Sequence, residues 1–133
     1  MKYLLDTNIC IYFMRESVPA VAARMDACEP WEIGISSITL AELEYGVVSV
    51  TPELRLQRRL LLNLLQERVT IAPFEAAAAR AYAEIRCADP QRGRNALDKL
   101  IAAHAVSLDA VLVTNNEADF RRFPGLVVEN WAA

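Results

Sequence analysis

The chain has few of the residues on which many kinds of protein site depend. Among its 133 residues there are one histidine, three cysteines and four glycines. A zinc site built on imidazoles would therefore have too few ligands, and no glycine-rich loop of the common phosphate-binding types is present. Cys10, Cys28 and Cys87 stand at no metal-ligand spacing, which fits reduced thiols in a cytoplasm.

Long hydrophobic runs and a strong charge of either sign are missing too. No apolar run approaches the roughly 18 residues of a membrane-spanning helix, and Asp6 interrupts the N-terminus too early for a secretory signal. The formal net charge of −3 argues against a generic nucleic-acid-coating protein, which would be strongly basic. Because 54% of the residues are hydrophobic, residues 1–133 are expected to form a single soluble, cytoplasmic domain with its own core.

Short apolar segments alternate with helix-like segments along the chain. The pattern predicts strands at residues 2–5, 31–35, 69–72, 111–114 and 126–128, with helices between them. Because short strands separated by helices imply crossover connections, we expect an α/β fold with a mostly parallel sheet that is covered on both faces. Ligands of such sheets bind beyond the carboxyl ends of the strands.

Acidic residues occur at these places. Asp6 follows the first predicted strand, Glu42 lies within an apolar helix, Asp98 lies in the first turn of another helix, and Asp119 follows the fourth strand. Each has an ordinary alternative: Asp6 as a helix cap, Glu42 in a capping box with Thr39, Asp98 as a first-turn acid, and Asp119 as an exposed loop acid. Four oxygen donors without a soft ligand favour Mg²⁺ or Mn²⁺, the ions of phosphoryl chemistry.

Other polar residues also have both a functional and a structural interpretation. Thr114 and Asn115 or Asn116 follow the fourth strand, where they could orient a water or a phosphate or simply form a polar turn. The single histidine, His104, lies on an apolar helical face, and we expect a hydrogen-bonded core residue rather than a catalytic one.

Five segments that follow one another along the chain carry a family resemblance. They are Leu5-Asp6-Thr7-Asn8, Ser37 to Gly46, Leu97 to Ala105, Leu112 to Asn116 with Asp119-Phe120, and Val128-Glu129-Asn130-Trp131. In this order and spacing they resemble the PIN-domain ribonucleases, specifically the VapC-type toxins of bacterial type II toxin–antitoxin systems. The resemblance extends over essentially the whole chain.

The resemblance implies a three-layer α/β/α PIN-like domain and a metal-dependent endoribonuclease that hydrolyses RNA phosphodiester bonds. It implies that Asp6, Glu42, Asp98 and Asp119 are the catalytic, metal-binding acids, with Glu117 as a competitor for the fourth place. The implied cofactor is Mg²⁺, with Mn²⁺ as its substitute. The implied partners are a VapB-type antitoxin, a second toxin copy in a homodimer, and RNA, with initiator tRNA cut in its anticodon loop by the most similar relatives.

Two surfaces are expected to serve these partners. Arg92 and Arg94, with Arg86 and Lys99, surround Asp98 in sequence, which predicts a basic rim for RNA phosphates; a solvated polar loop is the alternative. The leucine-rich helix after Pro52 and the helix from Ser37 are expected to present apolar surface to the antitoxin, since the leucines exceed one buried stripe. For that helix the predicted buried leucines are Leu54, Leu61, Leu64 and Leu65; ordinary core packing of all the leucines is the alternative.

Two rival functions have different requirements. A phosphatase-type hydrolase would use an Asp-x-Asp pair, and Asp6-Thr7-Asn8 lacks the second carboxylate. A catalytically inert PIN-like binding module remains the main alternative; its acids need not converge, and chelation of metal with EDTA would cost it nothing.

Overall fold

A central sheet between two layers of helices forms the framework of the protein. The structure is a computed structural model that describes residues 1–91 and 96–133, and over these ranges the chain forms five strands and seven helices. The strands are β1 (Tyr3–Leu5), β2 (Ile33–Ser36), β3 (Thr70–Ala72), β4 (Val111–Val113) and β5 (Val128–Glu129). The helices are α1 (Thr7–Arg15), α2 (Pro19–Asp26), α3 (Ser37–Val48), α4 (Pro52–Arg68), α5 (Ala76–Ala88), α6 (Ala96–Ser107) and α7 (Glu117–Phe120).

All paired strands run parallel, in the order β3-β2-β1-β4-β5. The chain builds one half of the sheet outward from β1 through β2 and β3, then returns to the other side of β1 with β4 and β5. The strand order therefore reverses beside β1, which is the point at which such sheets bind ligands.

Neighbouring residues of the strands point to opposite faces of the sheet. Leu5 and Val113 lie in one buried cluster with residues of α1 to α4, whereas Leu4 and Leu112 lie in a second cluster with residues of α5, α6 and α7. Both faces are thus covered, and the predicted α/β/α architecture is confirmed. No helix within the described residues is long and apolar enough to cross a membrane.

The strand boundaries differ slightly from those predicted. β2 begins at Ile33 rather than at Trp31, because residues 29–32 form a turn in which the Glu32 amide donates to the Glu29 carbonyl. Trp31 is 67% exposed and belongs to neither core cluster.

The buried leucines of α4 also differ from the prediction. Leu62 and Leu65 face the core, Leu61 is half-buried, and Leu54 and Leu64 are exposed. The prediction is confirmed for Leu65 and wrong for Leu54 and Leu64, because leucines occur on nearly every side of this helix and several stripes are possible.

Candidate active site

Asp6 lies directly beyond β1, where the chain enters α1. Its backbone amide donates to the carbonyl of Val113 at 3.0 Å, which continues the pairing of β1 with β4. Its Oδ1 accepts the backbone amide of Ile9 at 2.9 Å, so Asp6 is the N-cap of α1. The side chain is only 6% exposed, and the cap holds it at the edge of the sheet.

The electrostatics of Asp6 are dominated by this burial. The pKa of the carboxyl group is raised from its ordinary 3.8 to about 6, chiefly by burial and to a smaller extent by the negative charge of Asp98. Hydrogen bonds from the Thr114 side chain and from the Ile9 amide lower the pKa and offset part of the effect. Asp6 is therefore a carboxylate whose ionised form the folded protein stabilises poorly.

Glu42 extends from α3 toward the start of α1. Its Oε1 accepts the hydroxyl of Thr7 at 3.1 Å, and Thr7 directly follows Asp6. The capping box with Thr39 is not formed, because Ser36 caps α3 by accepting the Ile38 amide at 3.1 Å. Glu42 consequently lies in the second turn, free to face the carboxyl end of β1.

Asp98 is electrostatically linked to the three other acids. It lies in the first turn of α6 and is half-buried. Burial raises the pKa of Asp98, the charges of Asp119 and Glu42 raise it further, and the Arg122 guanidinium lowers it. Asp98 in turn raises the pKa of Asp6.

The four carboxylates lie near one another without enclosing one point. Among residues 1–91 and 96–133, no three histidine, cysteine, aspartate or glutamate side chains stand close enough together to hold a metal ion. The four acids share one end of the sheet and influence one another's charge. Their assignment as ligands of a common ion stays a prediction.

The choice between Asp119 and Glu117 is informed by their contacts. Asp119 accepts a hydrogen bond from Asn116 Nδ2 at 2.7 Å, and its charge acts on Asp98. Glu117 pairs instead with Arg121, which lies four residues later and caps the end of α7. These contacts favour Asp119 as the fourth acid.

Polar groups beyond β4 complete this end of the sheet. Thr114 is fully buried; its hydroxyl oxygen accepts the Asn116 amide at 3.0 Å. Asn115 is exposed and donates from Nδ2 to the Tyr12 hydroxyl at 2.7 Å. Sequence reasoning did not single out Thr7 or Tyr12; the position of Thr7 beside Asp6 was a usable signal, whereas nothing in the sequence marks Tyr12.

The predicted basic rim is only partly described. Arg92 and Arg94 lie outside the described residues, and Arg86 lies in the last turn of α5. Lys99 does not belong to a rim, so that expectation was wrong. Its side chain is buried, and Nζ donates to the carbonyls of Asp89, at 2.6 Å, and Gln91.

Arg122 is a cation near the acids that sequence reasoning missed. Its Nη1 lies 2.7 Å from Asp89 Oδ2, and its Nε donates to the backbone carbonyl of Asp119 at 3.1 Å. Its side chain remains 43% exposed. The guanidinium is thus held beside α7 and can still meet an anion from solvent.

A groove of about 630 Å³ leads away from Glu42 between α1, α3 and α4. Thr7 and Glu42 line it together with apolar side chains and the charged residues Arg15, Glu16 and Arg58; its apolar part is formed by Ile11, Met14, Leu43, Val47 and Leu61. Of the four candidate acids, Glu42 lines this groove.

Comparison with known proteins identifies the family to which this fold and this acidic site belong. The family model of the PIN domain matches residues 3–126. Ribonuclease VapC2 of Rickettsia felis is 38% identical over 134 residues, with 98% of each chain covered. A tRNA(fMet)-specific endonuclease VapC of Shigella flexneri is 36% identical over 135 residues, with 99% of each covered.

Solved structures agree with the sequence relatives. The VapBC2 complex of Rickettsia felis bound to a promoter DNA fragment contains a chain that matches with a TM-score of 0.85 and 36% identity, covering 98% of this chain and 99% of that one. DNA-bound VapBC of Salmonella typhimurium matches with a TM-score of 0.88 and 30% identity, covering 98% of each chain. The chain belongs to the PIN-domain family, within its VapC ribonucleases.

Proposed function

We propose that the protein is a divalent-metal-dependent endoribonuclease that acts as the toxin of a toxin–antitoxin pair. The observation that carries the proposal is the concentration of negative charge at the carboxyl end of β1. Asp6 is buried with a raised pKa, and none of Asp6, Glu42, Asp98 and Asp119 forms an ion pair with a cationic side chain of the described residues. A divalent cation would offset this negative charge.

The donor set fits Mg²⁺ or Mn²⁺. Asp6, Glu42, Asp98 and Asp119 offer only carboxylate oxygens, which hard divalent cations prefer. The nearest polar neighbours, Thr7 and Thr114, add hydroxyl oxygens. When bound, a divalent cation supplies charge neutralisation at the attacked phosphate and lowers the pKa of water.

The chain's own residues prepare this site. The Ile9 amide and the Thr114 hydroxyl fix the Asp6 carboxylate, and the Thr7 hydroxyl orients Glu42. Asn116 holds Asp119 toward Asp98. Three of the acids have a hydrogen-bond partner, and Asp98 lies in the first turn of α6. Their side chains therefore lose less conformational freedom when a cation and a phosphate bind.

We further propose that the substrate is tRNA, with the anticodon loop of initiator tRNA as the target. The support is the full-length similarity to an endonuclease named as tRNA(fMet)-specific. Unpaired loops expose bases and a bendable backbone to a protein, which paired RNA does not. Thr114 and Asn115 would contact the RNA beside the acids, and Arg92, Arg94 and Arg122 would meet its phosphates.

The partner we propose is a VapB-type antitoxin, and we propose a homodimer of the toxin within the cytoplasm. The support is the similarity to the toxin chains of VapBC complexes. The groove along α1, α3 and α4 offers the antitoxin an apolar path that ends at Glu42.

An activity assay tests the proposal. Purified, antitoxin-free protein is incubated with a tRNA pool, and new RNA ends are mapped for the wild type and for Asp98→Asn. We expect wild-type ends in an anticodon loop and loss of these ends with a correctly folded Asn variant. Cleavage by the Asn variant at the wild-type rate would reject the assignment of Asp98.

One observation favours a second candidate, the catalytically inert binding module. In the side-chain positions of the structure no three acids surround one point. The same assay distinguishes the two, since an inert module produces no new ends with any variant and binds its partner equally well in EDTA.

A further inference from the structure

His104 lies inside the molecule at the junction of α6 with the top of the sheet. It is 1% exposed, and its Nδ1 lies 2.8 Å from Ser36 Oγ, which confirms the expected hydrogen-bonded core histidine. Ser36 ends β2 and caps α3. The pair therefore connects the helix that carries Asp98 to the strand–helix junction from which Glu42 extends.

The hydrogen-bond network assigns the tautomer of this histidine. Burial lowers the pKa of His104, so its ring is neutral near neutral pH. Ser36 Oγ accepts the Ile38 amide, and the Pro73 carbonyl, which can only accept a hydrogen bond, also acts on the ring. The ring nitrogen that faces Pro73 therefore carries the proton, and Nδ1 accepts the Ser36 hydroxyl. The ring proton then lies on Nε2.

Nε2 is poorly satisfied for a buried polar atom. Among the described residues it has no hydrogen-bond partner of normal geometry, although the carbonyl of Pro73 is near enough to influence the ring. The Phe74 ring meets the imidazole edge to face, with 5.3 Å between centroids. An apolar side chain would fill this place without burying two ring nitrogens, so packing alone does not explain a histidine here.

We propose that His104 is a positioning residue for the candidate metal site: its bond to Ser36 fixes α6 relative to α3 and thereby fixes the separation of Asp98 from Glu42. The proposal rests on the proposed function of these carboxylates. Contacts among apolar side chains are not directional and permit small sliding of helices, whereas a hydrogen bond of 2.8 Å fixes both distance and angle.

The required precision is that of metal coordination. Bonds from Mg²⁺ to oxygen are about 2.0–2.1 Å long with little tolerance, so a shift of α6 by a fraction of an ångström separates the ligands. Residues that orient metal ligands without touching the metal typically contribute about 10–100-fold in affinity. His104 would act in this way through the rigid first two turns of α6.

The test measures Mn²⁺ binding by calorimetry in four forms of the full chain: wild type, His104→Phe, His104→Asn and Ile85→Val. His104→Phe keeps the ring contact with Phe74 and loses both nitrogens. His104→Asn places an amide oxygen near the position of Nδ1 and so retains an acceptor for Ser36. Ile85→Val is a control that loosens the same core cluster without touching Ser36.

We expect His104→Phe to weaken Mn²⁺ binding by about 10–100-fold, with His104→Asn within a few-fold of the wild type. Thermal unfolding in EDTA compares the stability of all forms. A loss of affinity in Ile85→Val equal to that in His104→Phe would overturn the proposal, as would wild-type affinity in His104→Phe or a failure of His104→Asn to restore it.

A second readout separates this proposal from the proposed function. The aspartate carboxyl groups are titrated by carbon NMR in EDTA, where the midpoint of Asp98 depends on its distance from the other acids. If the wild type binds no Mn²⁺, the proposed function fails by itself. A shifted Asp98 midpoint in His104→Phe, restored in His104→Asn, would still support positioning; unchanged midpoints would overturn it.

Discussion

Asp6 illustrates how a structural and a functional explanation can apply to the same side chain. It caps α1 through the Ile9 amide, the ordinary role that its place after a strand suggests. It is also the most buried of the candidate acids, with a pKa near 6. A cap requires only an acceptor oxygen, which asparagine also provides. The charge is therefore the part of Asp6 that capping does not explain.

The substitution Asp6→Asn is expected to stabilise the protein in EDTA at pH 8. Because the folded pKa lies above the unfolded pKa, stability from this group is present below pH 4 and lost as the pH rises through about 6. The shift from 3.8 to about 6 corresponds to about 3 kcal/mol in the free energy of unfolding. The wild type loses this stability above about pH 6, and the asparagine variant does not.

Urea unfolding at pH 5 and pH 8 measures this difference. Asp109→Asn serves as the control, since Asp109 is exposed and its positive φ of 53° suits asparagine. Added Mn²⁺ should stabilise the wild type more than Asp6→Asn. A variant less stable than the wild type at pH 8 in EDTA would contradict this account of Asp6.

Asp119 and Glu117 can be separated by a matched pair of substitutions. Asp119→Asn is expected to slow RNA cleavage by about tenfold or more, since it removes a charge that acts on Asp98. Glu117→Gln should change the rate little, because it breaks only an exposed pair with Arg121. Initial cleavage rates on one RNA oligonucleotide provide the comparison. The reverse order of the two rates would assign the fourth acid to Glu117.

At the scale of elements, α4 exposes leucines that core packing does not explain. Leu62 and Leu65 meet the core, Leu61 lines the groove, and Leu60 is exposed. Tyr45 and Val48 of α3 are exposed as well. Because exposed apolar residues of this size cluster at interaction sites, the pattern agrees with a surface for the proposed antitoxin.

A charge on the exposed side of α4 is expected to weaken antitoxin binding. Leu60→Glu should raise the dissociation constant by about tenfold or more, as for an interface anchor, and should leave cleavage of free RNA unchanged. Val127→Glu, an equally exposed position elsewhere, is the control. A toxin that Leu60→Glu leaves fully neutralised would contradict this prediction, as would an antitoxin that neutralises fully after its C-terminal half is deleted.

The elements also show what the sequence could predict and what it could not. The start of α3 after Ser36 and the start of α4 at Pro52 follow from local rules, and the structure has both. The face of α6 that packs against the core could not be predicted from the local sequence. Lys99 is buried and Leu97 is exposed, because the backbone carbonyls of Asp89 and Gln91 satisfy the ammonium group.

At the scale of the whole molecule, an acidic protein must bind an anionic polymer. The net charge is −3, and the four acids add local repulsion that a divalent cation only partly offsets. The remaining positive charge is expected from Arg92, Arg94 and Arg122. Each phosphate contact that is lost should lower the salt slope of binding by about 0.7 for single-stranded RNA.

Binding of RNA to the Asp98→Asn protein, titrated against salt, measures these contacts. Arg92→Ala, Arg94→Ala and Arg122→Ala are each expected to lower the slope, whereas Arg55→Ala, at an exposed position near the start of α4, should not. Identical salt slopes of RNA binding in all variants would contradict the basic rim and indicate that the metal is the main binding site for phosphate.

The fold of the whole chain was easier to predict than the geometry of its site. Alternating strands and helices determine a parallel sheet, and strand ends place Asp6 and Thr114 at one edge. The separation of carboxylates depends on contacts between distant residues, such as Thr7 with Glu42 and Ser36 with His104. No local pattern encodes these pairs.

The measurement that tests the central claim most directly is metal-dependent cleavage of RNA by the purified, antitoxin-free protein. Total RNA is incubated with the wild type in Mg²⁺, in EDTA, and in EDTA followed by excess Mg²⁺, and new RNA ends are mapped. The account predicts specific cuts in Mg²⁺, none in EDTA, and the same cuts after Mg²⁺ is restored. Identical cuts in EDTA, or no cuts under any condition, would contradict it.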